Sequence, residues 1–343
     1  MISVSSPGRV SGHESQWSLF ARAEARNRLA STFLFVGPAG IGKRTFAQQL
    51  GKTLLCPERG ADFQACGVCP SCLQCDAGTH PDLLYICKPE DRTEFPVRLL
   101  FGEKETRMRE GLCSDITKKP FMGGRRVAIL DDADTLNEEG ANCLLKTLEE
   151  PPPHSVMILI GTSASLQLPT IRSRCQVVRF SSLPTAVVEQ ILRESPEVAE
   201  RCKKRGVTIP TNEAELRQLA EHGDGSVLRA IELADPELWK FRDHLYGMLS
   251  EHPFRSVRTA AMIMEFVENG TKEASVKRMR IRFVLDSAIT FLRYQIRENM
   301  TEYRLRQLDR TILASEQLAR NLHMTTLVEA WCDALVVSAV HRS

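Results

Sequence analysis

Residues 37–45 read GPAGIGKRT and nearly complete the phosphate-binding pattern GxxxxGK[ST]. Arg44 stands where a Ser or Thr hydroxyl ligates Mg²⁺ in a site that hydrolyses nucleotide. An apolar strand precedes the loop and a helix from Thr45 to Leu55 follows it, so backbone N–H groups and a helix N-terminus converge on one anion. The loop predicts a nucleotide site, the alternative being a glycine-rich turn without a ligand. Its candidate residues are Gly37, Gly40, Gly42, Lys43, Arg44 and Thr45.

A second strand ends in acidic residues. The stretch RRVAILDDAD, residues 125–134, delivers Asp131 and Asp132 to the end of a buried strand. A carboxylate at that position is suited to binding Mg²⁺, directly or indirectly. The alternative is that these acids only terminate the strand. We include Thr162, at the end of a later strand, among the candidate nucleotide contacts.

Five cysteines predict a metal site. Cys66, Cys69, Cys72 and Cys75 recur at three-residue spacing, and Cys56 lies ten residues ahead of them. Four thiolates form a closed tetrahedral Zn²⁺ site, which suits structure rather than catalysis. A turn-rich decapeptide cannot bury four separate thiols in a core, which disfavours simple burial. The scattered cysteines are expected to pack in the core, namely Cys87, Cys113, Cys143, Cys202 and Cys332.

The composition of the chain limits its number of domains, its general charge interactions and its location. A chain of 343 residues with 43% hydrophobic content is long enough for two or three packed domains. A net charge of +2 gives no general attraction to nucleic acid or to an anionic membrane. No apolar run approaches the roughly 20 residues that span a bilayer, and the N-terminus lacks a signal-peptide core. We therefore expect a cytoplasmic protein in which the thiols stay reduced.

Strands and helices alternate over the first half of the chain. A helix is expected from Trp17 to Leu29, and Thr135 with Glu138 has capping-box spacing ahead of a second helix. That helix has an apolar face and is stopped by three prolines, residues 151–153. Apolar strands are expected at 33–36, 125–134, 155–162 and 176–180. This order predicts an α/β fold with a parallel sheet covered on both faces, followed by an all-α region.

Four stretches carry a family resemblance. In order, NRLASTFLFVGPAGIGK, HPDL, LLKTLEEPPP and LPTIRSRC are similar to the delta-prime subunits of the bacterial clamp loader, AAA+ proteins of the DNA polymerase III holoenzyme. The resemblance covers roughly residues 15–235 and implies three domains. After a flexible tail (1–15) come a P-loop nucleotide-binding domain (16–180) with a zinc module at about 56–80, a helical lid (181–240) and a helical collar (241–343).

The resemblance also implies partners and roles. The partners are the gamma/tau and delta subunits in a five-subunit ring, which acts on a sliding clamp and on primer-template DNA, with no membrane involved. The zinc ligands resemble Cys56, Cys66, Cys69 and Cys72, which leaves Cys75 spare. Ser173, Arg174 and Cys175 match a motif whose arginine reaches the γ-phosphate of ATP held by a neighbouring subunit. The guanidinium suits this role because it is always charged and its planar fork pairs with phosphate oxygens.

Three residues depart from the pattern of a hydrolysing member. Arg44 replaces the metal-binding hydroxyl, and Asp132 replaces the Glu that normally polarises the attacking water. In the segment GSVLRA, Leu228 takes the position of the sensor-2 arginine. Arg229 comes one residue later, which rotates its side chain by roughly 100° on a helix. The chain is thus expected to bind ATP and Mg²⁺ weakly or without turnover.

Two other functions stay open. The chain could be an active AAA+ motor, such as the gamma/tau-like ATPase subunit or a related helicase-type ATPase. It could also be a zinc-ribbon DNA-binding protein with a relic nucleotide fold, because residues 277–283 read KRMRIRF. We favour a collar-helix face for that basic stretch. ATP hydrolysis by the purified chain and salt-dependent DNA binding distinguish these alternatives.

Overall fold

The computed structural model describes residues 11–89, 92, 94–103, 109–122, 124–251, 253–269, 274–319 and 323–337. The chain divides into two compact units, Met1–Ile231 and Glu232–Ser343. Within the described ranges, no helix is both long enough and apolar enough to cross a membrane.

The first unit combines five strands with most of the helices. The strands are β1 (Thr32–Val36), β2 (Leu83–Ile86), β3 (Arg126–Leu130), β4 (Ser155–Gly161) and β5 (Gln176–Arg179). The helices are α1 (Glu14–Ala25), α2 (Lys43–Leu55), α3 (Pro70–Asp76), α4 (Arg98–Phe101), α5 (Leu112–Asp115), α6 (Glu138–Glu149), α7 (Pro169–Arg172), α8 (Thr185–Glu194), α9 (Pro196–Arg205), α10 (Glu213–His222) and the first five residues of α11 (Val227–Leu233), whose last two belong to the second unit.

The five strands form one parallel sheet in the order β2-β3-β4-β1-β5. The predicted parallel sheet is therefore confirmed. The sequence prediction contained four strands and omitted β2, which pairs with β3 from Leu83 opposite Val127. This edge strand is four residues long and half-buried, so it lacks the uniform apolar run that indicates a central strand.

Both faces of the sheet are covered by helices, as predicted. Along β1, Leu34 and Val36 join an apolar cluster with residues of α4, α5 and α6. Phe33 and Phe35 point to the opposite face, because successive strand side chains alternate. There Phe20 of α1 packs on Phe33 with ring centroids 4.9 Å apart. The strand that precedes the phosphate loop is thus fixed from both sides.

The first helix starts earlier than predicted. α1 runs over Glu14–Ala25, whereas the sequence indicated Trp17–Leu29. His13 precedes it, is buried, and is hydrogen-bonded from Nε2 to Ile41 O at 2.7 Å. Residues 11–15, assigned from the sequence to a flexible tail, therefore include the start of a helix next to the phosphate loop; residues 1–10 lie outside the described ranges.

The start of α6 also differs from the prediction. Asn137 is the N-cap, and its side-chain oxygen accepts a hydrogen bond from Gly140 N at 2.9 Å. Thr135 instead lies in a 3₁₀ turn, where its hydroxyl donates to Asp132 O. Asn is a stronger N-cap than Thr, and with Asn137 as the cap the helix begins two residues later than predicted. The prolines that follow end the helix at Glu149, as predicted.

The second unit is all-helical, as predicted. Its helices are α12 (Pro236–Ser250), α13 (Ser256–Glu268), α14 (Ala274–Glu298), α15 (Glu302–Ala319) and α16 (Met324–Val337). The basic stretch at 277–283 lies in α14, where Arg280 Nη1 donates to Phe266 O at 2.8 Å. Lys277 pairs with Glu268 at 3.6 Å. Two of its basic side chains thus join α14 to the end of α13.

Candidate functional site

The predicted phosphate loop connects the carboxyl end of β1 to the first turn of α2. Gly40 has a φ of 74°, in the left-handed region that favours glycine. Its carbonyl accepts a hydrogen bond from Val227 N at 3.0 Å, and a Cβ at Gly40 would lie 2.5 Å from Leu228 Cβ. Only glycine satisfies both the backbone conformation and the close approach of this segment.

Lys43 closes the loop on itself. The residue is buried, and Nζ donates to Gly37 O and to Pro38 O, both at 2.6 Å. Burial lowers the pKa of Lys43 to about 8, although nearby carboxylates, Asp131 first among them, act in the opposite direction. An ammonium group with this pKa is charged at neutral pH. It can exchange the two carbonyls for phosphate oxygens.

Arg44 contacts the carboxylate that was predicted to serve Mg²⁺. Its Nε donates to Asp131 Oδ2, and Asp131 also accepts from Tyr85 OH at 3.3 Å. The other oxygen, Oδ1, accepts from Asp132 N at 2.9 Å. The Arg44 guanidinium carbon lies 5.7 Å from the centroid of the Tyr85 ring. Thr45, the next residue of the motif, is half-buried in the first turn of α2.

Asp132 follows β3 in a left-handed backbone conformation, with a φ of 58°. Its side chain is half-buried. Burial and, after it, the charge of Asp131 raise the pKa of Asp132. The structure thus places an acid at the predicted position, on a side chain one methylene shorter than Glu.

Thr162 lies beside the loop but is held by an aspartate. Gly37 N donates to Thr162 O at 3.1 Å, which joins the end of β4 to the phosphate loop. The Thr162 hydroxyl donates to Asp134 Oδ2 at 2.6 Å, and its backbone N–H donates to the same oxygen. Gln167 Nε2 donates to Asp134 Oδ1. The predicted contact residue is therefore part of a local network centred on Asp134.

The segment at the start of α11 also reaches the loop. Leu228 and Ser226 hold the atoms nearest to a Cβ built at Gly40. Arg229 N donates to Ser226 Oγ at 3.2 Å, and its side chain is half-buried. Leu228 therefore contacts the loop at the position where an arginine was expected in a hydrolysing member. A contact between Arg229 and nucleotide stays a prediction.

The Ser173-Arg174-Cys175 motif follows α7 and leads into β5. Ser173 Oγ donates to Thr170 O at 3.1 Å. Cys175 is buried in the apolar cluster, where burial raises the pKa of its thiol to about 12, so it acts as an anchor. Between them Arg174 donates from Nε to Glu149 Oε1 at 2.8 Å and from Nη1 to Thr170 O at 3.0 Å. The arginine side chain is 32% exposed.

Arg174 lies at the amino-terminal end of the parallel strands, whereas the phosphate loop lies at their carboxyl-terminal end. Its carbonyl accepts a hydrogen bond from Thr32 Oγ1 at 2.7 Å, at the first residue of β1. The phosphate loop begins after Val36, the last residue of the same strand. Five strand residues at about 3.3 Å each separate the two features by roughly 13–16 Å.

The four cysteines implied as zinc ligands lie together. The Sγ atoms of Cys56, Cys66, Cys69 and Cys72 are all within 4.8 Å of one another. The Cys56–Cys69 and Cys66–Cys72 Sγ separations are both 3.9 Å. Tetrahedral Zn²⁺ with bonds of about 2.3 Å requires sulfur separations of about 3.8 Å. Two of the six sulfur separations thus already match this ion, and none exceeds the required value by more than about 1 Å.

Local structure supports thiolates in this cluster. Backbone N–H groups of Val68 and Cys69 lower the pKa of Cys66 to about 7. Cys56 is the C-cap of α2 and Cys69 is the N-cap of α3, so the cluster joins the two helices. Cys75 lies outside the cluster, and burial raises the pKa of its thiol to about 11. The structure thus separates Cys75 from the four candidate ligands.

Four residues of these sites were not found from the sequence. Tyr85 lies on β2, the strand that the prediction omitted. Asp134 and Gln167 come from separate loops and are hydrogen-bonded to each other beside Thr162. Glu149 was treated only as part of a helix end. The LEEPPP stretch was a signal for Glu149, because an acid at the end of a helix opposes the helix dipole and suggests another partner.

Comparisons with known proteins agree on one family. A family model described as DNA polymerase III, delta subunit, matches residues 12–184. The DNA polymerase III subunit delta' of Pseudomonas aeruginosa is 39% identical over 184 residues, which cover 53% of this chain and 53% of that protein. The subunit delta' of Bacillus subtilis is 29% identical over 205 residues, covering 60% of this chain and 58% of that protein.

A further relative is a tau subunit. DNA polymerase III subunit tau of Escherichia coli is 32% identical over 227 residues, which cover 66% of this chain and 32% of that protein. The chain thus spans between 32% and 58% of the length of these three relatives.

Proposed function

Because the chain belongs to the family described as DNA polymerase III, delta subunit, we propose that it is a delta-prime-type subunit of the bacterial clamp loader. In this proposal it joins gamma/tau and delta subunits in a five-subunit ring, in the cytoplasm, and the ring loads a sliding clamp onto primer-template DNA. The chain completes a neighbour's ATPase site and hydrolyses little or no ATP itself. The AAA+ domain (16–180), the lid (181–240) and the collar (241–343) keep the bounds predicted above, except that the first helix of the AAA+ domain already begins at Glu14.

One observation carries this proposal: Arg174 and the phosphate loop lie at opposite ends of strand β1. Arg174 is hydrogen-bonded to Thr32, the first residue of β1, while the loop follows the last residue of β1. An arginine side chain cannot cover roughly 13–16 Å along the strand to reach its own loop. A partly exposed arginine at that end is positioned to reach nucleotide bound by another subunit.

The chemistry follows from the guanidinium. Phosphoryl transfer builds negative charge on the oxygens around the γ-phosphorus, and an arginine supplied by a neighbour stabilises that charge. Ser173 and Cys175 hold the backbone on either side, so Arg174 changes its side-chain partners without moving the strand. To act in this way, Arg174 must exchange Glu149 for the phosphate.

The chain's own loop lacks the corresponding groups. Arg44 occupies the position of the metal-binding hydroxyl, Asp132 that of the water-polarising Glu, and Leu228 that of the sensor-2 arginine. Each change removes a group that acts in the transition state of hydrolysis. ATP bound here is proposed to be retained rather than turned over.

The cysteine cluster has a structural role in the proposal. Zn²⁺ held by Cys56, Cys66, Cys69 and Cys72 would close the four-thiolate site, with no position left for a substrate. It would fix the end of α2 to the start of α3. Two further contacts also join α2 to α3: Lys52 pairs with Asp76 at 2.7 Å, and Ser71 Oγ donates to Leu55 O at 3.0 Å.

The test is the clamp- and DNA-stimulated ATPase of a reconstituted assembly. Arg174→Ala should slow hydrolysis by roughly 10³-fold or more at the adjacent site while assembly, followed by size-exclusion chromatography, is unchanged. Arg174→Lys should rescue poorly, since an ammonium keeps the charge but loses the planar fork. Arg172→Ala is the matched control, because Arg172 is exposed and lies in the same helix end. Normal turnover in an intact Arg174→Ala ring would refute the trans role.

A second candidate function rests on the tau relatives. The match to tau extends over 66% of this chain, further than the match to either delta' protein described above. An active motor subunit would hydrolyse ATP through its own loop. Steady-state hydrolysis by the purified chain at the rate of a motor subunit, abolished by Lys43→Ala, would favour this alternative over the delta-prime role.

A further inference from the structure

Mg²⁺ is the metal that the fold family implies at the phosphate loop, and the residues present do not fit it. Such a site uses a hydroxyl directly after the loop lysine and a carboxylate from the neighbouring strand end. The hydroxyl position holds Arg44. The carboxylate is Asp131, whose Oδ2 accepts from Arg44 Nε and Tyr85 OH and whose Oδ1 accepts from Asp132 N. Both oxygens are therefore already hydrogen-bonded.

The burial of the Asp131 carboxylate is a second reason why Mg²⁺ does not fit this site. The Asp131 side chain is 9% exposed, and its ion pair with Arg44 compensates its buried charge. A divalent ion that ligated Asp131 would have to expel the guanidinium and would leave two cations next to each other. Tyr85 would also lose its acceptor on Asp131. Magnesium binding here would thus break the contacts of Asp131 with both Arg44 and Tyr85.

The Arg44 guanidinium has N–H donors and a positive charge available to bind an anion. Arg44 uses Nε for Asp131, and among the described residues no acceptor is hydrogen-bonded to Nη1 or Nη2. The side chain is 48% exposed, so these two nitrogens are accessible from the solvent side. Arg44 is in the first turn of α2, next to Lys43, where the helix dipole also favours negative charge. Two adjacent cationic side chains therefore serve one phosphate loop.

We infer that this loop binds the phosphates of a nucleoside polyphosphate without a divalent metal, and that the Arg44 guanidinium takes the place of the metal ion. The inference rests on the proposed nucleotide binding by this chain. Arg44 neutralises phosphate oxygens through Nη1 and Nη2 while Nε stays on Asp131. A planar fork cannot hold a water and two phosphates in octahedral geometry. The bound nucleotide is therefore retained and not hydrolysed.

The structure also suggests what retention does. Gly40, in the loop, is hydrogen-bonded to Val227 N, at the start of α11. A nucleotide on the loop would stabilise the loop conformation that this contact requires. Because no metal is involved, added Mg²⁺ does not strengthen the binding of this nucleotide.

The experiment is a calorimetric titration of the full chain with ATP, once in excess EDTA and once in excess Mg²⁺. Wild type should bind at least as tightly in EDTA as in Mg²⁺, because excess Mg²⁺ converts free ATP into its metal complex and the loop takes the metal-free form. Arg44→Ser should lose about tenfold or more in EDTA and should regain affinity when Mg²⁺ is added, because Asp131 becomes free and a hydroxyl returns. Arg217→Ser, on the exposed face of α10, is the matched control and should behave as wild type.

Three results would overturn the inference. The first is a wild-type affinity that is more than about tenfold weaker in EDTA than in Mg²⁺. The second is a folded Arg44→Ser chain that binds in EDTA as tightly as wild type. The third is no ATP binding by wild type in either buffer. If Arg44→Ser does not fold, the wild-type comparison alone decides between the outcomes. None of these results affects the trans role of Arg174, which the ATPase of the assembly tests separately.

Discussion

Arg174 donates two hydrogen bonds to a single oxygen, Oε1 of Glu149, from its Nε and Nη2 atoms. The two residues are 25 positions apart, with Glu149 at the end of α6 and Arg174 two residues after α7. The arginine proposed to act on a neighbour's ATP is therefore held by its own chain. In the proposed trans role, the release of Arg174 from Glu149 would be part of the energetics of assembly.

Glu149→Gln should raise the ATPase of the assembly in the absence of clamp and DNA. An exposed ion pair is worth about 0.2–1 kcal/mol, so the expected increase is roughly 1.5- to 5-fold. The measurement is steady-state turnover of rings that carry wild-type or variant subunit. Glu150→Gln, at the neighbouring exposed acid, should have no effect. A decrease with Glu149→Gln would instead mean that Glu149 orients Arg174 for catalysis.

The chain purified without chelator should contain about one Zn²⁺, because four thiols lie within 4.8 Å of one another, close to the separations of a tetrahedral site. Cys69→Ser should release the ion and lower the melting temperature by at least about 5 °C. Metal analysis and a melting curve check both. Cys75→Ser is the control in the same short helix and should retain the metal. A wild-type chain that is metal-free and equally stable would contradict the site.

Lys43→Ala should leave clamp loading by the assembly within about twofold of wild type, since Lys43 matters for turnover only with the metal hydroxyl and the water-orienting acid. Those positions hold Arg44 and Asp132. The assay is clamp loading on primed DNA with wild-type or variant subunit in the ring. A large loss of loading in a normally assembled ring would show that nucleotide at this loop drives the reaction.

Nucleotide affinity should fall as pH rises through about 8, the pKa of Lys43 in the free chain. Below that pH the ammonium is charged and the anion gains its full attraction. Above it, binding must take up a proton, so affinity falls by up to about tenfold per pH unit. Calorimetry between about pH 7.5 and 9.5 tests this, in a range where phosphates and carboxylates keep their charge. Lys43→Arg should flatten the profile, because a guanidinium keeps its proton. A wild-type profile that is equally flat would exclude Lys43 as the phosphate contact.

Several features could be read directly from the sequence. The phosphate loop between β1 and α2, the prolines that end α6, and the alternation that predicts a parallel sheet were all found. The grouping of Cys56 with Cys66, Cys69 and Cys72 came from a family resemblance, and their spacing alone also allowed Cys75. These features depend on neighbouring residues, because turns, caps and ligand spacings are set over a few positions along the chain.

The tertiary structure decided which side chains meet. Arg44 and Asp131 are 87 positions apart, and Thr162 and Asp134 are 28 apart. Both contacts depend on the strand order, which places the ends of β1, β3 and β4 side by side. The sequence by itself determined that Arg44 could not supply a metal-binding hydroxyl. That its guanidinium binds Asp131 was decided only by the fold, because a long side chain pairs with whichever carboxylate the packed sheet brings within reach.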